Sequence, residues 1–323
     1  MPVADGGKKA DVAGIERVEP LVNDERPRQV PELPRGRFMH LPGRGSMFYR
    51  EAAGPPGAPT VVLLHGLGAN ADLNWHRAFA PLSRHFRVIA PDHRGHGRGI
   101  RSKAPFRLTD CADDVVALAG ALGIAQFTAV GYSMGGPIAQ LIWRRSPERL
   151  HGLVIGASSR DFRGHPRERL LFAGLGLVAG AIRIDALHLA LGAFERITSP
   201  ILGIHVHARW AADEARRSDV DAVMQAAGDL GRFTSREWVS DIDVPTAVVV
   251  TTRDRLVPVR RQRKLAHSIR GAVTFDVECG HHGVADTEDA QFVHALVGAC
   301  RAVSPWPDVE QPAELEAPAF ARA

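Results

Sequence analysis

The stretch Phe127-Thr128-Ala129-Val130-Gly131-Tyr132-Ser133-Met134-Gly135-Gly136 decides the fold. Phe127 to Val130 is short, apolar and partly β-branched, and reads as a strand; Pro137 to Arg145 reads as a helix. Between them a serine stands on a glycine-flanked turn, the arrangement of a nucleophile elbow. Such a turn holds the serine backbone under strain. It leaves no room for bulk at the flanking positions, which accounts for Gly131 and Gly135. The hydroxyl is thereby presented at the sheet edge, with a helix N-terminus behind it.

Working outward, strands alternate with helices. Arg37 to Leu41 and Met47 to Ala52 suit a short antiparallel pair. Thr60 to Leu64 is a strand running into His65-Gly66-Leu67-Gly68, and Phe86 to Ala90 is a strand running into Pro91-Asp92-His93-Arg94-Gly95-His96-Gly97. Leu108 to Leu122 has helical spacing, with Thr109 as its expected cap. Gly152 to Ile155, Thr246 to Val250 and Val273 to Val277 complete the strands. Continuous apolar strands with helices between them predict an α/β fold, a mostly parallel sheet covered on both faces. The interval 160–243 breaks the rhythm. It offers helical stretches at Pro166 to Ile182 and about Ala211 to Leu230 but no convincing strand. The expected organisation is therefore a core of 36–159 and 244–303, with 160–243 inserted as a helical cap over the carboxyl ends of the strands. A charged, proline-bearing extension (1–35) and a tail (304–323) flank it, the extension expected to be disordered.

Composition narrows the function. The 323 residues carry a net charge of +4, but the arginines are interleaved with acids, so nucleic acid is not an expected partner. The densest basic run, Arg260, Arg261, Arg263 and Lys264, reads as a solvated helix face. Cys111, Cys279 and Cys300 lack paired or metal-ligand spacing and suggest free thiols in a reducing compartment. Met1 to Arg28 has no apolar signal core, and no apolar run is long enough to span a bilayer. A cytoplasmic protein is the expectation.

A serine hydroxyl needs a base within hydrogen-bond reach, and the base needs an orienting acid. Asp254 follows the strand Thr246 to Val250, and His281 follows the strand Val273 to Val277. Both then lie past carboxyl ends of strands, on the edge that carries Ser133. Asp161, after Gly152 to Ile155, is the rival acid, and His282 the neighbour that could be mistaken for the base. His65, His93, His96, His205 and His207 invite a metal reading, but turn support is the better account of the first three, and the last two lack a nearby third ligand. No metal and no cofactor are expected.

With these residues in order, the chain resembles the α/β-hydrolase family. The resemblance rests on His65-Gly66-Leu67-Gly68, Pro91 to Gly97, Gly131 to Gly135, Asp254 and Gly280-His281, and covers residues 60 to 282. It implies Ser133 as nucleophile, His281 as general base and Asp254 as its partner. It also implies an oxyanion hole made by the backbone N–H groups of Met134 and Leu67. The implied activity is serine-dependent cleavage of a carboxylic ester in a small-molecule or lipid-like substrate. Perhydrolases, C–C bond hydrolases and acyltransferases share the scaffold, and a relative without catalysis would act as a ligand-binding protein. Leu171 to Ile182 carries no charge and Ala186 to Phe194 is mostly apolar. That pattern suits a helix buried against the core, an acyl tunnel, or peripheral contact of the cap with lipid. The acyl group, the alcohol and the oligomeric state are not legible.

Overall fold

The computed structural model describes residues 31–162, 208–285 and 290–305. Eight strands form one sheet in the order β1-β2-β4-β3-β5-β6-β7-β8. They are β1 (Gly36–Leu41), β2 (Gly45–Ala52), β3 (Thr60–Leu64), β4 (Arg87–Pro91), β5 (Phe127–Tyr132), β6 (Leu150–Gly156), β7 (Thr246–Thr251) and β8 (Val273–Val277). β1 and β2 pair antiparallel, β2 pairs antiparallel with β4, and every later pairing is parallel. The described helices are α1 (Ala71–Trp75), α2 (Phe79–Ser83), α3 (Leu108–Ala121), α4 (Gly135–Arg145), α5 (Ala208–Ala215), α6 (Val220–Arg232), α7 (Val259–Ser268) and α8 (Gln291–Val303).

The central strands are buried on both faces, and their side chains alternate between two cores. From β3, Val62 and Leu64 join one core while Val61 and Leu63 join the other; from β5, Phe127 and Ala129 oppose Val130 and Tyr132. The first core takes its helical side from α3, α4 and α6, and the second from α1, α2 and α8. Each fully buried Val, Leu or Phe contributes about 1.5–3 kcal/mol. That burial explains why the strands read as apolar runs rather than as alternating ones.

The register fixes the site. Leu64 lies beside Gly131 of β5, and Gly131 lies beside Ile155 of β6. The turns after β3, β5 and β6 therefore open on one edge of the sheet. The turn after β4 is locked by Arg94, whose Nε and Nη2 each lie 2.8 Å from the carboxylate of the fully buried Asp114 in α3.

One local expectation is corrected. α3 begins after Arg107, and Thr109 does not cap it. The Leu108 N–H donates instead to the Asp229 carboxylate of α6 at 2.8 Å, so a tertiary contact satisfies the orphan donor that a local side chain would otherwise take. Of the interval 160–243, residues 208–215 and 220–232 are helical and 216–219 interrupt them. A single bridge, Asp161 to Thr234, is the one strand-like contact among its described residues. The stretches 166–182 and 186–194, most of the 1–35 extension and most of the tail lie outside the described residues.

The α5–α6 segment is tied to the core by polar contacts. Glu214, buried in α5, accepts from Arg98 at 2.8 Å and from Asn70 at 3.0 Å. The Ser218 hydroxyl accepts from the Gly97 N–H at 3.0 Å, and Asp219 N–H donates to Gly95 O at 2.7 Å. Among the described residues no helix is long and apolar enough to cross a membrane.

Candidate active site

Ser133 has φ of 52°, a left-handed conformation that costs an L-residue energy unless its surroundings impose it. Three bonds impose it here. Ser133 N–H donates to Gly156 O at 3.0 Å, its carbonyl accepts from Gly136 N–H at 3.0 Å, and the buried Ser158 hydroxyl donates to the same carbonyl at 2.8 Å. The flanking glycines are steric necessities. A Cβ on Gly131 would stand 2.2 Å from Gly135 O, and one on Gly135 would stand 2.0 Å from Leu64 O.

The structure brings Ser133, His281 and Asp254 together. His281 Nε2 lies 3.0 Å from Ser133 Oγ, and His281 Nδ1 lies 2.7 Å from Asp254 Oδ2. The Asp254 carboxylate is fully buried and has both oxygens engaged. Oδ1 accepts from the Leu256 and Val257 N–H groups at 2.8 and 2.9 Å, while Oδ2 also accepts from Thr251 Oγ1 at 2.9 Å. These donors satisfy the buried oxygens and fix which one meets the imidazole. Asp161 is placed elsewhere: its Oδ2 accepts from Arg236 Nε at 2.8 Å. His282 packs edge-on against the His281 ring, with centroids 5.6 Å apart. Burial, and then His281 beside it, push its pKa down to about 4.

Met134 precedes the first turn of α4, so no turn of that helix engages its N–H. The Leu67 turn approaches Ser133 through Gly66, where a Cβ would meet Ser133 Cβ at 3.4 Å. The turn is braced by His65, whose Nδ1 lies 2.8 Å from Gly66 O and whose Nε2 accepts the His93 N–H at 2.9 Å. A carbonyl can only accept, so Nδ1 carries the proton and the ring is the neutral tautomer. Burial drives His65 far below the ordinary histidine range, His93 to about 3 and His96 to about 4. These rings are packing and bracing groups. Among the described residues no cluster of His, Cys, Asp or Glu is arranged to hold a metal ion. His205 and His207 lie outside them.

Three contacting groups escape sequence reasoning. The Tyr132 hydroxyl donates to the His281 carbonyl, tying the elbow to the imidazole loop. Gln262 lies fully buried beneath Asp254, although it sits among the exposed Arg260, Arg263 and Lys264 of α7. Asn74 accepts the Gly66 N–H on its side-chain oxygen at 3.0 Å. The only signal that could have found Gln262 is the helical period that buries Leu265 and Ala266 on the same face.

Comparison with known proteins gives a consistent picture. A family model described as alpha/beta hydrolase fold matches residues 59–287. A protein of Rhizobium rhizogenes named "Putative carbamate hydrolase RutD" is 29% identical over 264 residues, which covers 77% of this chain and 95% of that protein. Among solved structures, the enol-lactonase from Burkholderia xenovorans LB400 aligns with a TM-score of 0.68 at 24% identity, covering 82% of this chain and 100% of that one. A hydrolase from Pseudomonas aeruginosa PA01 aligns at 0.68 with 21% identity, over 81% of this chain and 97% of that one.

Proposed function

The chain belongs to the alpha/beta hydrolase fold family, and we propose that it is a serine hydrolase cleaving a carboxylic ester through an acyl-enzyme intermediate. One observation carries the reading. A serine in a strained turn lies 3.0 Å from an imidazole whose other nitrogen lies 2.7 Å from a buried carboxylate. The matching relative and the structural neighbour bear names that denote hydrolysis of a carbamate and of an enol-lactone. Both bonds join an acyl carbon to a heteroatom, as an ester does.

In this mechanism His281 Nε2 takes the Ser133 proton as Oγ attacks the acyl carbon. The carbonyl oxygen becomes an oxyanion, met by the N–H groups of Met134 and Leu67; one such donor contributes about 2.7–4 kcal/mol in the transition state. Collapse breaks the acyl–oxygen bond, and the imidazolium passes its proton to the leaving alcohol. His281 then deprotonates water, which attacks the acyl-enzyme, and the imidazolium returns the proton to Ser133 Oγ as the acyl–Oγ bond breaks and the acid leaves. Asp254 holds the imidazole in the tautomer that leaves Nε2 free to accept, and stabilises the cation once it forms.

The test is a fluorophosphonate label together with p-nitrophenyl ester turnover, on the wild type and on Ser133→Ala. Labelling at Ser133, and loss of both signals in a folded variant, are expected. Turnover retained in purified Ser133→Ala sinks the nucleophile assignment. A wild type that takes no label turns the reading toward a binding protein on the same scaffold.

A further inference from the structure

Asn74 occupies a position from which it can set the direction of one oxyanion donor. It lies in α1, a helix of five residues and too short to be stable alone. Tertiary bonds fix that helix at its start. Asn70 caps it by accepting from Leu73 N–H at 2.8 Å, and the Asn70 amide nitrogen donates to Glu214. Ala71 N–H donates to Asp92 at 2.8 Å. Asp72 receives Arg50 through two bonds of 2.6 and 2.7 Å. Asn74 follows one turn later, its own N–H bonded to Asn70 O at 3.0 Å. The residue is 5 % exposed, and its side-chain oxygen accepts the buried Gly66 N–H.

Gly66 carries no side chain to restrain its two dihedrals. The peptide before it is held by Asn74. The peptide after it is held through Gly66 O, which accepts from His65 Nδ1 at 2.8 Å and from Ala69 N–H at 3.3 Å. A trans peptide is planar, with N–H and C=O pointing oppositely. Clamping both peptides therefore fixes the heading of the Leu67 N–H. The clamp sits against the nucleophile, since the missing Gly66 Cβ would lie 3.4 Å from Ser133 Cβ and 3.5 Å from the Asn74 oxygen. A neutral amide suits this position. It accepts the N–H without placing a negative charge beside an oxygen that is itself becoming negative.

We propose that Asn74 is a positioning residue that aims the Leu67 N–H at the developing oxyanion, a role that rests on the serine-hydrolase reading above. It acts through Gly66 and touches no reacting atom. Its removal weakens transition-state binding and leaves ground-state binding alone.

The experiment compares wild type, Asn74→Leu and Ser133→Ala, using p-nitrophenyl butyrate as substrate and phenylboronic acid as an analogue whose serine adduct is tetrahedral. In Asn74→Leu, kcat falls at least about tenfold, as expected for a misplaced catalytic donor, and the boronate inhibition constant rises by a similar factor while KM stays within about twofold. Asn74→Ser, whose hydroxyl is too short to reach Gly66, gives the same split and serves where the leucine variant fails to fold. Unchanged kcat and boronate affinity overturn the proposal. So does a loss in which KM and boronate affinity worsen together, the mark of a purely structural residue. The control separates the two levels: turnover retained in Ser133→Ala removes the nucleophile and this role with it, whereas a dead Ser133→Ala beside an unaffected Asn74→Leu removes only the role of Asn74.

Discussion

Gln262 reaches from the middle of an arginine-rich helix to Asp254, its amide nitrogen donating to Oδ2 at 3.3 Å and to the Thr251 hydroxyl at 2.8 Å. The same amide nitrogen donates to Val257 O at 2.8 Å. Gln262 thus contacts the same carboxylate oxygen, Oδ2, that meets His281 Nδ1.

Asp254→Asn is expected to lower ester turnover by up to about 10⁴-fold while the protein stays folded, because the imidazole loses the partner that selects its tautomer. Asp161→Asn, whose parent side chain pairs with Arg236, is expected to leave turnover within about twofold. Steady-state kinetics on both variants decides; the reverse pattern would move the acid to Asp161.

Asp114→Ala is expected to destabilise the fold by about 1–3 kcal/mol, because the largely buried Arg94 loses its two-bond partner and keeps only the partly exposed Asp110 at 3.2 Å. Urea unfolding measures this. A change under about 1 kcal/mol would mean that water or another acid replaces the pair.

Acid is expected to weaken the fold from about pH 6.5 downward. His65, His93 and His96 have folded pKa values depressed from 6.5, the latter two to about 3 and about 4, so their contribution is full above pH 6.5. It is lost as pH falls toward the folded values, because the unfolded chain binds protons that the buried rings refuse. Asp92 acts oppositely. Burial raises it from 3.8 to about 6, so its contribution is lost as pH rises across that interval. With His282, also depressed to about 4, the buried imidazoles outweigh the one carboxyl, so the net effect is a loss of stability as pH falls through about 6 to 4. Urea midpoints taken at pH 7.5, 6, 5 and 4 should fall steadily; a flat series contradicts the prediction.

Gly135→Ala is expected to abolish the native fold, because its Cβ would stand 2.0 Å from a backbone oxygen of β3 that has no room to retreat. Circular dichroism and thermal melting check it. A cooperative transition near the wild-type Tm would show that the elbow and β3 can separate.

Much of this architecture is legible from residues alone because its determinants are local. Phe127 to Val130 announces a strand, Gly131 and Gly135 announce the tight turn, and the runs before Asp254 and His281 put both side chains past strand ends. What escapes depends on distant partners. Thr109 looks like a cap until Asp229 arrives from α6. Gln262 looks solvated among its cationic neighbours until α7 packs down on β7. α1 and α2, five residues each, are too short to show a period. Their existence follows from bonds made across the molecule.

The Glu214–Arg98 pair has a consequence for anyone recombining this scaffold with a relative. Arg98 also donates to Asp72 at 3.2 Å, and Asp72 belongs to the same short helix as Asn74. A chimera that imports a foreign segment in place of residues 208–219 and omits an acid at 214 leaves Arg98 and Asn70 seeking new acceptors. That disturbance would be felt one helical turn from Gly66. Grafts intended to change substrate preference should therefore transplant the loop bearing Arg98 and the segment bearing Glu214 as a matched set.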